Sequence, residues 1–161
     1  MTFEASHLSA EFAKALGKIG GVLVQPIEHI TWPAPHRAKS MPNGASAVYV
    51  FYLPRQDQSD RVLKVGKAGP ASGPRYFSHH YHFSAPSTLA KAILFNPILW
   101  GEIGLDSIRK EDVGEWRRQN TSRMNFHLYG EDRKWVSHLE IFLRGKLAPM
   151  MEGVQTKEVM V

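Results

Sequence analysis

The sequence predicts an α/β (α+β) fold in which a small three-stranded sheet, mixed or antiparallel, is flanked by helices. Two observations predict the sheet: AVYVFYL at 47–53 is rich in β-branched and aromatic residues, and RVLKVGK at 61–67 follows it after a polar turn. A third observation predicts the helical layer. Residues 131–147 are amphipathic at helical spacing, with acidic residues leading and basic residues trailing.

The first 45 residues are predicted to form an extension ahead of the main domain. Residues 7–19 place apolar side chains on one helical face, and a Gly-Gly pair ends that helix. The segment VLVQPI at 22–27 has the composition of a strand. A basic, proline-rich stretch at 32–43 then predicts a loop or arm, for which a solvated connector is the plain alternative.

The remaining elements follow from residue 46 onwards. The run AGPASGP at 68–74 predicts a tight loop that leads to a helix beginning near Pro74. Further along, the patterns predict a helix at 87–99 capped by Ser87, a charged helix or loop at 106–119, and a third strand at 124–130. We therefore expect an N-terminal helix and arm (1–45), a main domain (46–153) and a C-terminal tail (154–161).

The composition excludes some classes of protein and favours others. Apolar residues make up 43% of the chain, which is enough for a packed core and excludes wholesale disorder. The chain has no Cys, which excludes disulfides, thiol nucleophiles and cysteine-based zinc sites. The absence of a signal-peptide pattern and of a long apolar run predicts a cytoplasmic protein without a membrane partner. The net charge of +5 suits a polyanionic partner such as DNA, although a basic surface can be incidental.

Short motifs stand in a defined order along the chain. They are Ala47-Val48-Tyr49 in the first strand, Lys64-Val65-Gly66-Lys67 in the second, Arg75 with His79 one turn later on the next helix, and Glu140 nine residues before Pro149. This ordered set resembles the GIY-YIG nucleases, which carry Gly-Ile-Tyr, then Tyr-Ile-Gly or Tyr-Val-Gly, then an Arg with a Tyr or His, and finally a metal-binding Glu. The resemblance runs from Ala47 to about Glu152.

The chain departs from the family pattern in a few places. Ala47 replaces the first Gly, and Lys64 replaces the second Tyr. The family often ends with an Asn after the proline, whereas Met150, Met151 and Glu152 stand in this region. The usual pair of phenols is therefore incomplete, and a supporting hydrogen bond must come from another residue.

The resemblance implies a metal-dependent endonuclease in which Glu140 binds Mg²⁺ or Mn²⁺. Phosphodiester hydrolysis needs a deprotonated water and positive charge on the phosphate oxygens, and one carboxylate with several waters is a common Mg²⁺ arrangement. Helical spacing places Glu140 on or beside the apolar stripe of its helix, where an unpaired charge is costly. A salt bridge to Arg144, one turn away, is the alternative to metal binding.

The same resemblance gives roles to the other motif residues. Arg75 and His79 would contact the phosphate, and Tyr49 and Lys64 would generate the nucleophile. The residues leave open which of Tyr49 and Lys64 is the general base. Lys67 is expected to contact a phosphate. The alternatives without a catalytic function are that Arg75 is an ordinary surface arginine and that Tyr49 is an aromatic residue of the core.

Further basic residues suggest a path for a nucleic-acid backbone. These are Arg37 in the arm, and Arg109, Lys110, Arg117, Arg118 and Arg123 around Trp116. A solvated charged face is an equally good explanation of the second group. The histidines at 79, 80 and 82 also suggest a transition-metal site, but consecutive helical residues do not all face one ion.

Three function classes therefore stay open. The first is a metal-dependent endonuclease acting on DNA. The second is a nucleic-acid-binding module of the same fold without catalysis, which the missing Asn and the Lys64 replacement favour. The third is a protein-interaction domain whose basic surface is incidental. The N-terminal extension would add substrate contacts or a homodimer surface.

Overall fold

The chain folds around an antiparallel sheet with helices on both faces. The computed structural model describes residues 3–56, 58–82 and 89–151. The elements in chain order are α1 (Ala5–Lys18), β1 (Glu28–Trp32), β2 (Ala45–Leu53), β3 (Arg61–Ala68), α2 (Gly73–Phe77), α3 (Leu89–Leu94), α4 (Trp100–Ile103), α5 (Val113–Asn120), β4 (Ser122–Tyr129) and α6 (Val136–Leu147). Short 3-10 helices span His79–Tyr81, Pro97–Leu99 and Gly130–Trp135.

The four strands lie in the order β1-β4-β2-β3, and every neighbouring pair is antiparallel. β2 and β4 are therefore central, while β1 and β3 form the edges. Tyr49 of β2 lies opposite Gly66 of β3 on one side and opposite Asn125 of β4 on the other. This register puts residues of the two sequence motifs next to each other.

The prediction of three strands is wrong, because β1 adds a fourth strand beside β4. β1 has four exposed residues and one buried residue, so it lacks the apolar pattern of a buried strand. The segment predicted as a strand, 22–27, lies outside any strand. There the backbone N–H groups of Val24 and Gln25 donate to the carboxylate of Asp132, at 2.8 and 3.1 Å, instead of to a neighbouring strand.

Two apolar layers hold the sheet between the helices. β2 alternates between them, since successive side chains of a strand point to opposite faces. One layer packs Val48, Val50 and Phe126 against α1 and α6, through Leu8, Phe12, Leu139 and Leu143. The other packs Tyr49 and Phe51 against the smaller helices, through Tyr76, Leu89, Ile93 and Val113.

The helical predictions are confirmed with shifted bounds. The helix predicted at 7–19 is α1, and the third predicted strand is β4. The helix predicted at 87–99 is shorter, because α3 ends at Leu94 and a 3-10 turn begins at Pro97; its predicted cap, Ser87, lies outside the described residues. The late helix predicted from residue 131 begins as a 3-10 helix and becomes α-helical only at Val136.

The N-terminal residues are packed into the same body as the motif residues. α1 contributes to the apolar layer under α6, and β1 extends the sheet. The division at residue 46 stays a prediction, and the tail at 154–161 lies outside the described residues. Among the helices of the described ranges, none combines the length and the apolar character that crossing a membrane requires.

Candidate active site

Tyr49 lies at the centre of the candidate site. Its side chain is fully buried on the face of β2 that it shares with Phe51. The ring passes over Gly66 of β3 so closely that a Cβ at Gly66 would lie 2.6 Å from ring atom Cε2. Glycine at residue 66 therefore opens the path by which the Tyr49 hydroxyl reaches the outer edge of β3, 3.5 Å from the carbonyl oxygen of Lys67.

Arg75 reaches the Tyr49 hydroxyl from α2. The Gly/Pro loop after β3 delivers the chain to this short helix, which has Pro74 in its first turn. The Nε–H of Arg75 donates to Tyr49 Oη at 3.3 Å, while the Arg75 residue itself is exposed. Two residues predicted for the site in different roles are thus in contact, and Arg75 is also exposed to solvent.

His80, the residue after the predicted His79, is the histidine that contacts Tyr49. Its Nε2 lies 2.5 Å from Tyr49 Oη, and its Nδ1 accepts the backbone N–H of Leu89 at 3.3 Å. His79 is half-buried in the same 3-10 turn. The helix predicted through these residues breaks at Ser78, so the 3.6-residue spacing from Arg75 no longer applies, and the following histidine turns inward.

The contacts of His80 fix its tautomer. Nδ1 accepts a hydrogen bond and so carries no proton. Burial, followed by the charges of Arg117, Lys64, Arg123 and Arg75, holds the pKa of His80 well below its usual value. The ring is therefore neutral with its proton on Nε2, and Tyr49 Oη receives two donors, from His80 and from Arg75.

The Tyr49 hydroxyl experiences opposing electrostatic influences. Burial raises its pKa, and the Glu140 carboxylate adds to the rise. The hydrogen bond and charge of Arg75, and the charge of Arg123, act to lower that pKa. Burial outweighs the cations, so the pKa of Tyr49 lies above its usual value, although the two donors on its oxygen favour the phenolate.

Glu140 approaches the same edge of the sheet from the opposite face. It lies in α6 and is only 6% exposed. Its Oε2 is 3.1 Å from Lys67 Nζ, and its Oε1 accepts from Arg144 Nη2 at 3.1 Å. Lys67 also donates to Ser137 Oγ at 2.9 Å. The alternative foreseen for Glu140, a salt bridge to Arg144, is therefore present, and Lys67 adds a second cation.

Lys64 lies on the Tyr49 side of β3. It is opposite Phe51 in the β2–β3 register, two residues before Gly66, and it is half-buried. Its ammonium charge contributes to the low pKa of His80. Four of the five predicted catalytic residues thus lie around one strand edge, with Tyr49, Lys64 and Arg75 on one face and Glu140 on the other. The fifth, His79, makes no hydrogen bond or ion pair with them within the described part of the chain.

The buried arginines correct part of the predicted nucleic-acid surface. Arg117 and Arg123 are both 0% exposed. The guanidinium of Arg117 stacks 4.2 Å above the Phe51 ring, and its nitrogens have no hydrogen-bond partner among the residues that the structure describes. Burial lowers its pKa to about 9. Arg123 packs among the rings of Trp32, Tyr49, Phe51 and Tyr76. Neither side chain lies on a surface that a nucleic acid reaches in this structure.

Other predicted contact residues lie on the surface. Arg37 is exposed and Arg118 is half-buried, and both line one cavity beside α5. Lys67 is 41% exposed and paired with Glu140. The sequence does not show that Arg117 is buried while the next residue, Arg118, is not. Arg117 packs on the rings of Phe51 and Tyr81, which come from distant parts of the chain.

The donors at Glu140 fit a hydrated Mg²⁺ or Mn²⁺ site with one protein carboxylate. A carboxylate has about four acceptor positions, and Lys67 and Arg144 occupy one each. Both cations are partly exposed, at 41% and 43%, so their heads can turn towards water. Within the described ranges there is no cluster of three or more His, Asp or Glu side chains suited to a metal. Among the described residues, Glu140 is the predicted carboxylate ligand, and water would supply most of the other positions.

Comparison of the chain with protein-family models, with curated proteins and with solved structures finds no significant match. The resemblance to GIY-YIG nucleases therefore stays a prediction from the motif residues.

Proposed function

We propose that the protein is a metal-dependent endonuclease that hydrolyses phosphodiester bonds in DNA. One observation above all supports the proposal. Tyr49, Arg75 and Glu140, which are far apart in sequence, lie around Lys67 of β3. Arg75 donates to Tyr49 Oη, which lies 3.5 Å from the Lys67 carbonyl oxygen, and the Lys67 ammonium pairs with Glu140 on the opposite face of the sheet. A buried phenol, an exposed guanidinium and a nearly buried carboxylate in one place are the groups that phosphodiester hydrolysis requires.

Each side chain would perform one task. Tyr49 would first release its own proton to solvent once the charge of Glu140 is neutralised, and the resulting phenolate would then accept the proton of the attacking water. His80 and Arg75 both donate to that oxygen and stabilise its anionic form. Arg75 would also hold a phosphate oxygen, since its residue is exposed to solvent. Lys64 would add positive charge beside the site and remains the rival for the general base.

Glu140 would hold the divalent ion after Lys67 or Arg144 turns away. When bound, that ion supplies positive charge to the phosphate and to the departing oxygen. Lys67, released from the carboxylate, would pair with a phosphate of the substrate. Neutralising the charge of Glu140 also removes one of the influences that raise the pKa of Tyr49.

The test is nicking of supercoiled plasmid in Mg²⁺ or Mn²⁺, with an EDTA blank. Glu140→Gln keeps the shape of the side chain and removes its charge, so we expect nicking to fall by at least about 100-fold, in line with the loss of a principal electrostatic group. Glu131→Gln is the matched control, because Glu131 is an exposed carboxylate on the 3-10 helix ahead of α6. That variant should nick plasmid at the wild-type rate.

A second matched pair addresses the phenol. Tyr49→Phe should lose about 100-fold or more of the nicking rate. Tyr52→Phe, a buried tyrosine on the opposite face of β2, should retain it. Nicking that survives EDTA, or that falls equally in Glu140→Gln and Glu131→Gln, would contradict the proposal.

One observation favours a second candidate, a nucleic-acid-binding module without catalysis. Both carboxylate oxygens of Glu140 already have cationic partners, so the side chain has a structural role without a metal. In that case the wild-type protein retains DNA in a salt-dependent manner but does not nick it in either metal. Failure to retain DNA at about 50 mM salt would instead indicate a protein-interaction domain.

A further inference from the structure

A surface cavity of about 660 Å³ lies next to the candidate active site. Its walls include Arg37, Phe77, Glu115 and Arg118. Phe77 lies two residues after Arg75 in α2, so the same short helix serves the Tyr49 site and the cavity. The volume falls in the range typical of small-ligand sites.

The walls of the cavity are held in place by buried hydrogen bonds. The backbone N–H of His36 donates to the carbonyl of Arg118 at 2.8 Å, and His36 Nδ1 lies 2.7 Å from the carbonyl of Thr121. His36 Nε2 lies 2.6 Å from Tyr81 Oη. These bonds fasten the N-terminal arm to the end of α5, which sets Arg37 and Arg118 on a shared wall.

Phe77 presents an aromatic ring to this space. The residue is 46% exposed, so part of its ring is open to a ligand in the cavity. It lines the cavity and also a neighbouring one of about 390 Å³, bounded by Met41, Pro42 and Pro70. The ring therefore borders open space in both cavities.

The charge around the ring suits a phosphate. Arg118 lies 5.0 Å above the Tyr81 ring, and its Nη1 is 3.7 Å from the nearest oxygen of Glu115, which is too long for a hydrogen bond. The guanidinium of Arg118 is thus positioned by stacking and is only loosely paired. Arg37 is exposed on the adjoining N-terminal arm. Glu115 is the acidic member of the wall and would repel a phosphate.

We propose that this cavity binds one unpaired nucleotide of a nucleic-acid strand, with its base stacked on Phe77 and its phosphate between Arg37 and Arg118. Aromatic rings and arginines bind single strands in this way because every base has a π face, whereas bases in a duplex are covered by their neighbours. The inference rests on the proposed function for its ligand, a nucleic acid. It adds that the strand beside the cleaved bond is held unpaired.

The test is binding of fluorescein-labelled single-stranded octathymidylate, measured by anisotropy at about 100 mM salt with EDTA to prevent cleavage. Phe77→Ala should weaken binding about tenfold, the effect of losing one stacked base. Phe95→Ala is the matched control, because Phe95 is 68% exposed and lies outside the cavity. Both substitutions are on the surface, so equal melting temperatures confirm that the fold is kept.

A second pair of variants reports on the phosphate. Glu115→Gln removes the acidic wall and should tighten binding about threefold, whereas Glu131→Gln, equally exposed and remote from the cavity, should leave it unchanged. Arg118→Gln should weaken binding. The inference is overturned if Phe77→Ala binds the probe as Phe95→Ala does, or if the two glutamate variants behave alike.

The outcomes separate this inference from the proposed function. Tight, Phe77-dependent binding without plasmid nicking in Mg²⁺ or Mn²⁺ supports the nucleotide site and contradicts the nuclease. Glu140-dependent nicking with octathymidylate binding that is insensitive to Phe77 supports the nuclease and overturns the nucleotide site.

Discussion

His80 illustrates how a single side chain is defined by its hydrogen-bond partners. The N–H of Leu89 occupies Nδ1, which leaves Nε2 as the donor to Tyr49. A neutral histidine in this tautomer does not take the phenol proton; it stabilises the oxygen after that proton has left. Within the proposed nuclease, His80 is thus a positioning residue for Tyr49, whose phenolate is the candidate base beside Lys64.

The tautomer leads to a prediction that compares two adjacent histidines. His80→Leu removes a donor to the Tyr49 oxygen, so plasmid nicking should fall about tenfold or more, while His80→Gln, which keeps an amide donor, should recover part of that loss. His79→Leu, in the same turn but half-buried, should stay within about twofold of wild type. A larger loss in His79→Leu would restore the role that the sequence suggested for His79.

At the scale of single elements, β3 is an edge strand that serves both faces of the site. Its alternation sends Lys64 and Gly66 to the Tyr49 side and Lys67 to the α6 side, where Lys67 meets Glu140. The missing side chain at residue 66 creates the gap that Tyr49 crosses. β3 therefore places Lys64 on one face and Lys67 on the other, and Gly66 leaves room for the Tyr49 ring between them.

This geometry predicts the effect of filling the gap. In Gly66→Ala the new methyl group would lie 2.6 Å from Cε2 of Tyr49, a ring that is held against Phe51 and His80. Overpacking of this kind should lower the free energy of unfolding by about 1–3 kcal/mol in urea titrations, and nicking should fall with it.

Gly69→Ala is the control for that substitution, because a Cβ at Gly69 meets nothing within 4 Å. Its free energy of unfolding should change by less than about 0.5 kcal/mol. Equal losses of stability in the two variants would mean that the closeness of Tyr49 to residue 66 does not constrain the fold.

The elements differ in how far the sequence could predict them. α1, β2, β3 and β4 carry their own apolar periodicity, so local patterns predicted them. β1 is mostly exposed and is a strand only because β4 offers it a hydrogen-bonding edge, which is a tertiary cause. The inward turn of His80 and the burial of Arg117 also depend on partners distant in sequence, Tyr49 and Phe51.

At the scale of the whole molecule, the N-terminal residues and the motif residues form one packed body. α1 covers the apolar layer under α6, β1 widens the sheet, and the arm after β1 is fastened to the end of α5 through His36. The arm therefore packs on the same face of the sheet as Tyr49. The buried arginines and the candidate nucleotide cavity lie on that face. A substitution that weakens the hydrogen bonds of His36 should therefore lower the free energy of unfolding and also displace the cavity wall.

The attachment through His36 makes the stability of the molecule depend on pH. Burial, with the charges of Arg117, Arg123 and Arg118, lowers the pKa of His36 from 6.5 to about 4, although its bond to Thr121 acts in the other direction. The unfolded chain therefore takes up a proton at a higher pH than the folded chain does. Neutral His36 therefore adds to the free energy of unfolding fully above about pH 6.5, and this addition is lost as the pH falls towards 4. At pH 5 the loss is about 2 kcal/mol.

The measurement is the free energy of unfolding in urea at pH 7 and pH 5. Wild type should lose about 2 kcal/mol more between these values than His36→Gln, which cannot titrate at this position, and His80 contributes equally to both proteins. His7→Gln removes a histidine whose side chain is 70% exposed, so its loss should equal that of wild type. If wild type and His36→Gln lose the same stability between pH 7 and pH 5, the arm is not held by a neutral buried imidazole, and the wall carrying Arg37 needs another anchor.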